Sequence, residues 1–145
     1  MAGRFQRGAI ARRIERASRI EREFGFRMAV EDVILSGQID LWFDEGGELV
    51  LLDYKTDRDE KRLESYALQL RFYAMALERL TGRLPDRALL AFLRSGREVE
   101  VPLNTDVRGA VRQFREAQER MEFPLREGDH CRRCRFYRGL CPAGR

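Results

Sequence analysis

Two aspartates and a lysine occur at a spacing that suits metal-assisted hydrolysis. Asp53 and Lys55 flank one residue in the segment LLDYK, and Asp40 lies upstream in the segment GQID. Alternate side chains of an extended strand share a face, so Asp53 and Lys55 are predicted to point the same way. Two carboxylates suit Mg²⁺, which binds few protein carboxylates and otherwise takes waters and phosphate oxygens. Such an ion polarises phosphate and activates a water, and Lys55 would orient that water or stabilise the developing charge.

A buried salt bridge between Lys55 and one aspartate is the structural alternative to a metal site. Ionised groups at the end of a buried strand are costly unless they are paired or bind an ion. The chain uses 26 arginines but only two lysines, Lys55 and Lys61, so lysine is an unusual choice at this position. Lysine is a compact point charge whose pKa moves on burial, which arginine does not reproduce.

Three predicted strands position these residues. Residues 24–30 alternate in polarity, and a second strand covers about 34–43. In that strand one face carries Ile39, Leu41 and Phe43, and the other carries Gln38, Asp40 and Trp42. A turn at 44–47 leads into a third strand, Glu48–Lys55, so the two strands form an antiparallel hairpin. Four successive apolar residues, 49–52, indicate that the third strand is buried on both faces, with Asp40 across from Asp53 or diagonal to it.

The remaining pattern indicates one α/β domain over residues 1–145. An amphipathic helix is predicted at 4–21, and a long, largely buried helix runs from about Arg62 to Thr81 and ends at Gly82. Two further strands cover 88–93 and 98–103, a last helix covers 106–121, and the tail, 124–145, is irregular. The order αβββαββα predicts a central mixed sheet flanked by helices.

These motifs resemble those of the RecB/AddA branch of the PD-(D/E)XK nucleases. The stretch GQIDLWFDEGGELVLLDYKTD is similar to the second and third motifs of that branch, and QLRFY, from Gln69 to Tyr73, matches its Q-x-x-x-Y motif. The resemblance spans roughly residues 4–145 and implies a restriction-endonuclease-like core. Gln69 and Tyr73 are four residues apart and so share a helical face, which we expect to be turned to the site or to DNA.

The resemblance also implies roles for individual residues. Asp40 and Asp53 would bind Mg²⁺ or Mn²⁺ with the Tyr54 carbonyl as a third ligand, and Lys55 would be catalytic. The implied activity is hydrolysis of DNA phosphodiester bonds, expected to be exonucleolytic and to serve double-strand-break repair and recombination. The implied partners are DNA and a helicase domain or a helicase–nuclease partner subunit.

One element of the family pattern, an upstream histidine, has no match. The single histidine, His130, lies in the tail. We expect that the chain is a fragment whose upstream helix belongs to a longer parent; otherwise Glu15, Glu21 or Glu23 replaces the histidine. The alternative function is a catalytically incomplete DNA-binding or interaction module of nuclease fold. A stand-alone Holliday-junction or restriction-like nuclease would share the core but not the Q-x-x-x-Y helix and the cysteine tail.

Three cysteines, Cys131, Cys134 and Cys141, form a second constellation in the tail. A C-x2-C spacing favours metal or redox use over a disulfide framework in an intracellular protein. Related nucleases join three such cysteines to an upstream fourth around a [4Fe–4S] cluster. Zinc and iron–sulfur sites both need four ligands, so either the intact parent holds the cluster or zinc, or the thiols pack as small hydrophobic groups.

Charge and composition are those of a cytoplasmic protein with no membrane partner. Hydrophobic residues make up 43% and charged residues 36%, and no segment is apolar over the roughly 20 residues that span a bilayer. Residues 1–23 hold seven Arg against three Glu, residues 125–145 hold six Arg against two acids, and the segment between is net acidic. Basic ends around an acidic centre suit a cation site whose surroundings attract a polyanion, although solvated termini would give the same pattern.

Overall fold

A five-stranded mixed sheet organises the protein. The computed structural model describes residues 9–56, 62–122, 125, 127–137 and 139–141. The elements are α1 (Ala9–Arg16), β1 (Arg19–Val30), β2 (Val33–Glu45), β3 (Glu48–Lys55), α2 (Leu63–Thr81), β4 (Arg87–Phe92), β5 (Arg97–Glu100), α3 (Arg108–Glu119) and a 3₁₀ turn (Asp129–Arg133). The strands lie in the order β1-β2-β3-β4-β5; β3 and β4 are parallel, and the other neighbours are antiparallel. The predicted fold class and element order are confirmed.

Strand β3 lies at the centre of the sheet and is buried on both faces, as predicted. Leu51 packs with Leu70 of α2 on one face, and Leu52 packs with Ile10 of α1 on the other. Leu51 and Leu52 are both 0% exposed. Burying such side chains gives about 1.5–3 kcal/mol each, so the sheet core holds the end of β3 in a fixed place.

Helix α2 connects β3 to the parallel strand β4. It ends where Gly82 adopts a left-handed φ of 80° and donates its N–H to the Glu78 carbonyl. Glycine takes this conformation without the steric penalty of a Cβ, so the helix ends here. The predicted end of the helix is confirmed. The helix buries one broad face; on the opposite side Leu80 is 50% exposed.

Several element boundaries differ from the sequence prediction. The helix predicted at 4–21 covers Ala9–Arg16, residues 4–8 lie outside the described residues, and Ile20 belongs to β1, where it packs in the cluster of Phe43. Strand β5 ends at Glu100, two residues before Pro102, which has no N–H for a ladder. Helix α3 begins at Arg108, and Asp106 stays outside it. The Asp106 carboxylate accepts the Arg108 N–H at 2.9 Å and so caps the first turn.

The predicted alternation of β2 is wrong at Ile39. Leu41 and Phe43 share a cluster as predicted, but Ile39 packs with Trp42 on the α2 side. The register places Glu23 of β1 opposite Asp40, and Glu23 has a φ of 50°, in the left-handed region. A non-glycine residue with this φ is strained, and we attribute the change of face to it.

The chain divides into two compact units, residues 1–111 and 112–145. The first contains the sheet, α1 and α2. The second contains the last part of α3 and the 3₁₀ turn Asp129–Arg133. None of the helices among the described residues is long and apolar enough to cross a membrane.

Replacing Leu70 by alanine should destabilise the protein by about 2–5 kcal/mol, because its side chain is fully buried between α2 and β3. The matched control is Leu80→Ala on the exposed side of the same helix, which should change the free energy of unfolding by less than about 0.5 kcal/mol. Urea denaturation measures both. Equal effects of the two substitutions would contradict the packing of α2 described above.

Candidate active site

A buried ion pair lies at the carboxyl end of β3. The Lys55 Nζ lies 2.6 Å from the Asp53 Oδ2, with side chains that are only 12% and 5% exposed. Asp53 is the only charged residue that is fully buried among the described residues. The predicted shared face of these two residues is therefore present as a direct contact.

The third predicted residue, Asp40, reaches the same strand end from β2. Its Oδ2 accepts the backbone N–H of Tyr54 at 2.8 Å. The register pairs Leu41 with Leu52 next to it, so continuing the ladder places Asp40 opposite Asp53. The described residues donate no hydrogen bond to the other Asp40 oxygen, which leaves that oxygen available to a ligand.

Tyr54 separates the two site residues of β3 and has its side chain on the opposite face. The ring packs in the cluster of Leu41 and Val50, and burial raises the pKa of the Tyr54 hydroxyl. Tyr54 can therefore contribute to the site only through its backbone atoms. Its N–H orients Asp40, and the role of its carbonyl as a metal ligand stays a prediction.

Helix α2 supplies a hydrogen-bonded chain that ends on Lys55. The Lys55 Nζ donates to the Gln69 Oε1 at 2.8 Å, and the Gln69 Nε2 donates to the Tyr73 hydroxyl at 2.8 Å. The Lys55 Nζ also lies 4.3 Å from the centre of the Tyr66 ring, a cation–π distance. The predicted helix face is thus turned to Lys55, and the Q-x-x-x-Y spacing joins Gln69 directly to Tyr73.

Gly37 allows this arrangement to form, although the motifs alone assigned it no role. A Cβ on Gly37 would lie 2.8 Å from the Phe26 ring and 3.1 Å from the Tyr73 ring. These two rings contact each other edge to face, with their centres 5.6 Å apart. A glycine inside a strand signals such a close approach, so this signal was present in the sequence.

Burial dominates the electrostatics of Asp53. Loss of solvent raises the pKa of the Asp53 carboxyl, the Lys55 ammonium opposes the rise, and the Asp40 carboxylate adds to it. Two carboxylates and one ammonium leave a net negative charge at the strand end. A bound cation would relieve the mutual repulsion of the carboxylates and the cost of their burial.

The three acids proposed to replace the absent histidine lie at different places in the fold. Glu15 is on α1, Glu21 pairs with Trp42, and the register places Glu23 opposite Asp40. The Glu23 side chain is exposed, and its carbonyl accepts the Gln38 side-chain amide at 3.2 Å. A role for any of the three stays a prediction.

The cysteines and His130 belong to the second unit. None of the three cysteines forms a disulfide, and the His130 Nε2 lies 3.5 Å from the Cys131 Sγ. The backbone joins Cys134 to Cys131 through an N–H to carbonyl bond of 3.0 Å. A zinc or iron–sulfur role for Cys131, Cys134 and Cys141 stays a prediction.

Within the described ranges, no group of three or more His, Cys, Asp or Glu side chains is arranged to hold a metal. Asp40 and Asp53 therefore supply two carboxylates only. Mg²⁺ commonly binds through one or two carboxylates and completes its shell with water and substrate phosphate. The pair fits such an ion, given the available Asp40 oxygen and the net negative charge.

Comparison with protein families places these motifs. The family model of the PD-(D/E)XK nuclease superfamily matches residues 2–142. The chain belongs to the PD-(D/E)XK nuclease superfamily. The match covers both units, and it includes the strand pair with Asp40, Asp53 and Lys55.

Relatives of this PD-(D/E)XK chain include the large A subunits of ATP-dependent helicase/nucleases. The A subunit from Clostridium novyi (strain NT) is 30% identical over 118 residues, covering 67% of this chain and 10% of that protein. The A subunit from Bacillus pumilus (strain SAFR-032) is 30% identical over 118 residues, covering 64% of the chain and 10% of the relative. The chain thus spans about a tenth of the length of these curated relatives. The predicted resemblance to RecB/AddA-type nucleases is confirmed.

A solved structure shows the same fold. The protein described as SSO0001 superposes with a TM-score of 0.58 at 20% identity, covering 86% of this chain and 61% of the other. At this identity the likeness concerns the fold alone.

The raised pKa of Asp53 predicts a pH dependence of stability in the metal-free PD-(D/E)XK chain. The folded state holds the Asp53 proton to a higher pH than the unfolded state, so this contribution to stability is present at low pH. It should be lost as the pH rises from about 4 through the raised folded pKa. In EDTA, the free energy of unfolding of the wild type should therefore fall relative to that of Asp53→Asn. A difference that stays constant between about pH 4 and pH 8 would contradict this electrostatic description.

Proposed function

We propose that the chain is a metal-dependent DNA nuclease domain that hydrolyses phosphodiester bonds. The observation that carries the proposal is the buried pair of Asp53 and Lys55, 2.6 Å apart, at a strand end that Asp40 also reaches. Membership of a nuclease superfamily supports hydrolysis of nucleic acid as the reaction class. Asp40 and Asp53, with the Tyr54 carbonyl, are the proposed metal ligands.

The proposed cofactor is Mg²⁺ or Mn²⁺, which prefers the oxygen ligands that the two aspartates offer. When bound, a divalent cation supplies Lewis-acid activation of the phosphate and makes water more acidic. The chain itself prepares the ligands. The Tyr54 N–H holds one Asp40 oxygen in place, and the sheet core fixes the Asp53 backbone.

Lys55 is the proposed catalytic cation. Its ammonium is held by the Asp53 carboxylate and the Gln69 amide oxygen, over the Tyr66 ring. An ammonium in this place can orient the attacking water or stabilise the negative charge that develops on phosphate. Because these contacts restrain the long lysine side chain, little ordering remains to be done when substrate binds.

Gln69 and Tyr73 are proposed to position Lys55. The Gln69 amide has both ends used, with its oxygen on Lys55 and its nitrogen on Tyr73. This orients the amide so that an acceptor faces the ammonium. Burial raises the pKa of the Tyr73 hydroxyl, with the Gln69 contact opposing the rise, so the hydroxyl remains protonated at neutral pH.

The helicase/nuclease relatives from Clostridium novyi and Bacillus pumilus support a finer proposal. The chain would act on DNA as an exonuclease in double-strand-break repair, with a helicase domain or a helicase–nuclease partner subunit. The basic segments 1–23 and 125–145 would contribute non-specific affinity for the DNA backbone. Cys131, Cys134 and Cys141 would hold zinc or a cluster together with a ligand from a longer parent.

Asp53→Ala should weaken binding of Mg²⁺ or Mn²⁺ by at least roughly tenfold, since loss of groups that merely orient ligands already costs this much. Isothermal titration calorimetry measures the dissociation constant. The control is Asp32→Ala at the exposed tip of the first hairpin, which removes the same charge away from β3. Equal affinity in Asp53→Ala and the wild type would remove the proposed metal site.

Lys55→Ala should lower the rate of DNA cleavage by about 100-fold or more, as expected when a group that stabilises transition-state charge is lost. Linear single- and double-stranded DNA with Mn²⁺ are the substrates. Arg94→Ala, in the exposed turn after β4, is the control for loss of one positive charge. Undiminished cleavage by Lys55→Ala would contradict the catalytic role. Absence of cleavage by every chain, with metal binding intact, would instead favour the catalytically incomplete DNA-binding module.

A further inference from the structure

A cleft of about 310 Å³ opens beside the candidate active site, between the first hairpin and helix α2. Its apolar walls come from Phe26 and Leu35 of the hairpin and from Phe72 and Tyr73 of the helix. The three aromatic rings are all half-buried. A cavity of this size falls within the range that small organic ligands occupy.

The cleft is continuous with the candidate active site because two residues belong to both. Gln69 and Tyr73 line the cleft, and Gln69 also accepts the hydrogen bond from the Lys55 Nζ. A molecule with an anionic group at Lys55 can therefore extend into the cleft by passing the side chain of Gln69 alone. Arg62 lies beside this path, with its guanidinium 5.6 Å from the Tyr66 ring, and adds a second positive charge.

The cleft has few polar groups, and those of Gln69 and Tyr73 are already hydrogen-bonded to each other. Ser36 and Ser65 are exposed at the cleft, and their side-chain hydroxyls make no hydrogen bond to any described residue. Aromatic walls with isolated hydroxyls suit a flat ring that has polar atoms along its edge. Cations next to this cleft suit a phosphate that is joined to that ring through a sugar.

We propose that the cleft receives an unpaired nucleobase of the strand whose phosphate lies at Lys55. The inference rests on the proposed function for the position of the phosphate, and it adds a subsite for the neighbouring base, which can enter only where it is free to leave the stack. Bases in a duplex are stacked and paired, and extracting one costs a few kcal/mol.

The walls of the cleft are held in place before any ligand binds. The Phe26 and Tyr73 rings lie edge to face, and Gly37 leaves the space that both need. Tyr73 is further restrained by its hydrogen bond from Gln69. Such preorganisation lowers the entropic cost of binding a base.

The test compares two oligonucleotides of equal length and charge, oligothymidylate and an abasic strand, by fluorescence anisotropy in EDTA, where no hydrolysis occurs. The wild type should bind oligothymidylate at least roughly fivefold tighter, the lower end of what one stacked base contributes. Ser65→Met places a flexible aliphatic chain in the cleft and should lose this preference while keeping its affinity for the abasic strand.

Glu64→Met is the matched control, since it puts the same side chain one position away at an exposed site that does not line the cleft. It removes a negative charge, which affects both oligonucleotides alike, so the base preference should persist. Phe72→Leu is a second variant that removes an aromatic wall and should also reduce the preference. Circular dichroism shows whether each variant is folded.

Equal affinity of the wild type for the two oligonucleotides would overturn the proposal, as would a full base preference in both Ser65→Met and Phe72→Leu. Cleavage of DNA with Mn²⁺ is measured separately on the same proteins. A base preference without cleavage would support the base-binding cleft and contradict the proposed nuclease function. Cleavage without a base preference would support the nuclease function and contradict the base-binding cleft.

Discussion

Asp53 and Lys55 occupy the end of a strand that is buried on both faces, and the rest of the site is arranged around the cost of placing charges there. Burial raises the pKa of the Asp53 carboxyl even with an ammonium 2.6 Å away. Removing one member of such a pair is more costly than having neither, because the remaining charge has no partner. The ion pair therefore offsets a penalty that the core imposes, and a bound cation would offset more of it.

Helix α2 links the stability of the fold to the chemistry of the site. Leu70 packs on the centre of β3, and the neighbouring Gln69 bonds Lys55 at its end. The same crossover that makes β3 and β4 parallel thus positions Gln69 next to Lys55 at the end of β3. Gly37 completes this arrangement from the hairpin side, since any larger residue would meet the rings of Phe26 and Tyr73.

Local signals were sufficient for much of the fold. The apolar segment 49–52 and the turn at 44–47 predicted β3 and its pairing, and Gly82 marked the end of α2. Strand periodicity also placed Asp53 beside Lys55. Ile20 was misassigned because its spacing suits both a helix and a strand, and only contact with Phe43 decides between them.

Other features depend on contacts between residues distant in sequence. The left-handed Glu23, with φ of 50°, is not signalled by its residue type, and it accompanies the unexpected packing of Ile39. The bond between Lys55 and Gln69 requires the parallel crossover, which no local pattern encodes. The motif resemblance identified these residues as candidates, and the structure shows the atoms through which they contact each other.

The central claim is that Asp40 and Asp53 hold one divalent cation beside Lys55. The most direct test is X-ray diffraction from crystals of the chain soaked in Mn²⁺, with anomalous data collected at the manganese absorption edge. We predict an anomalous peak in contact with a carboxylate oxygen of each aspartate. Manganese bound elsewhere, with no peak at these two carboxylates, would contradict the claim.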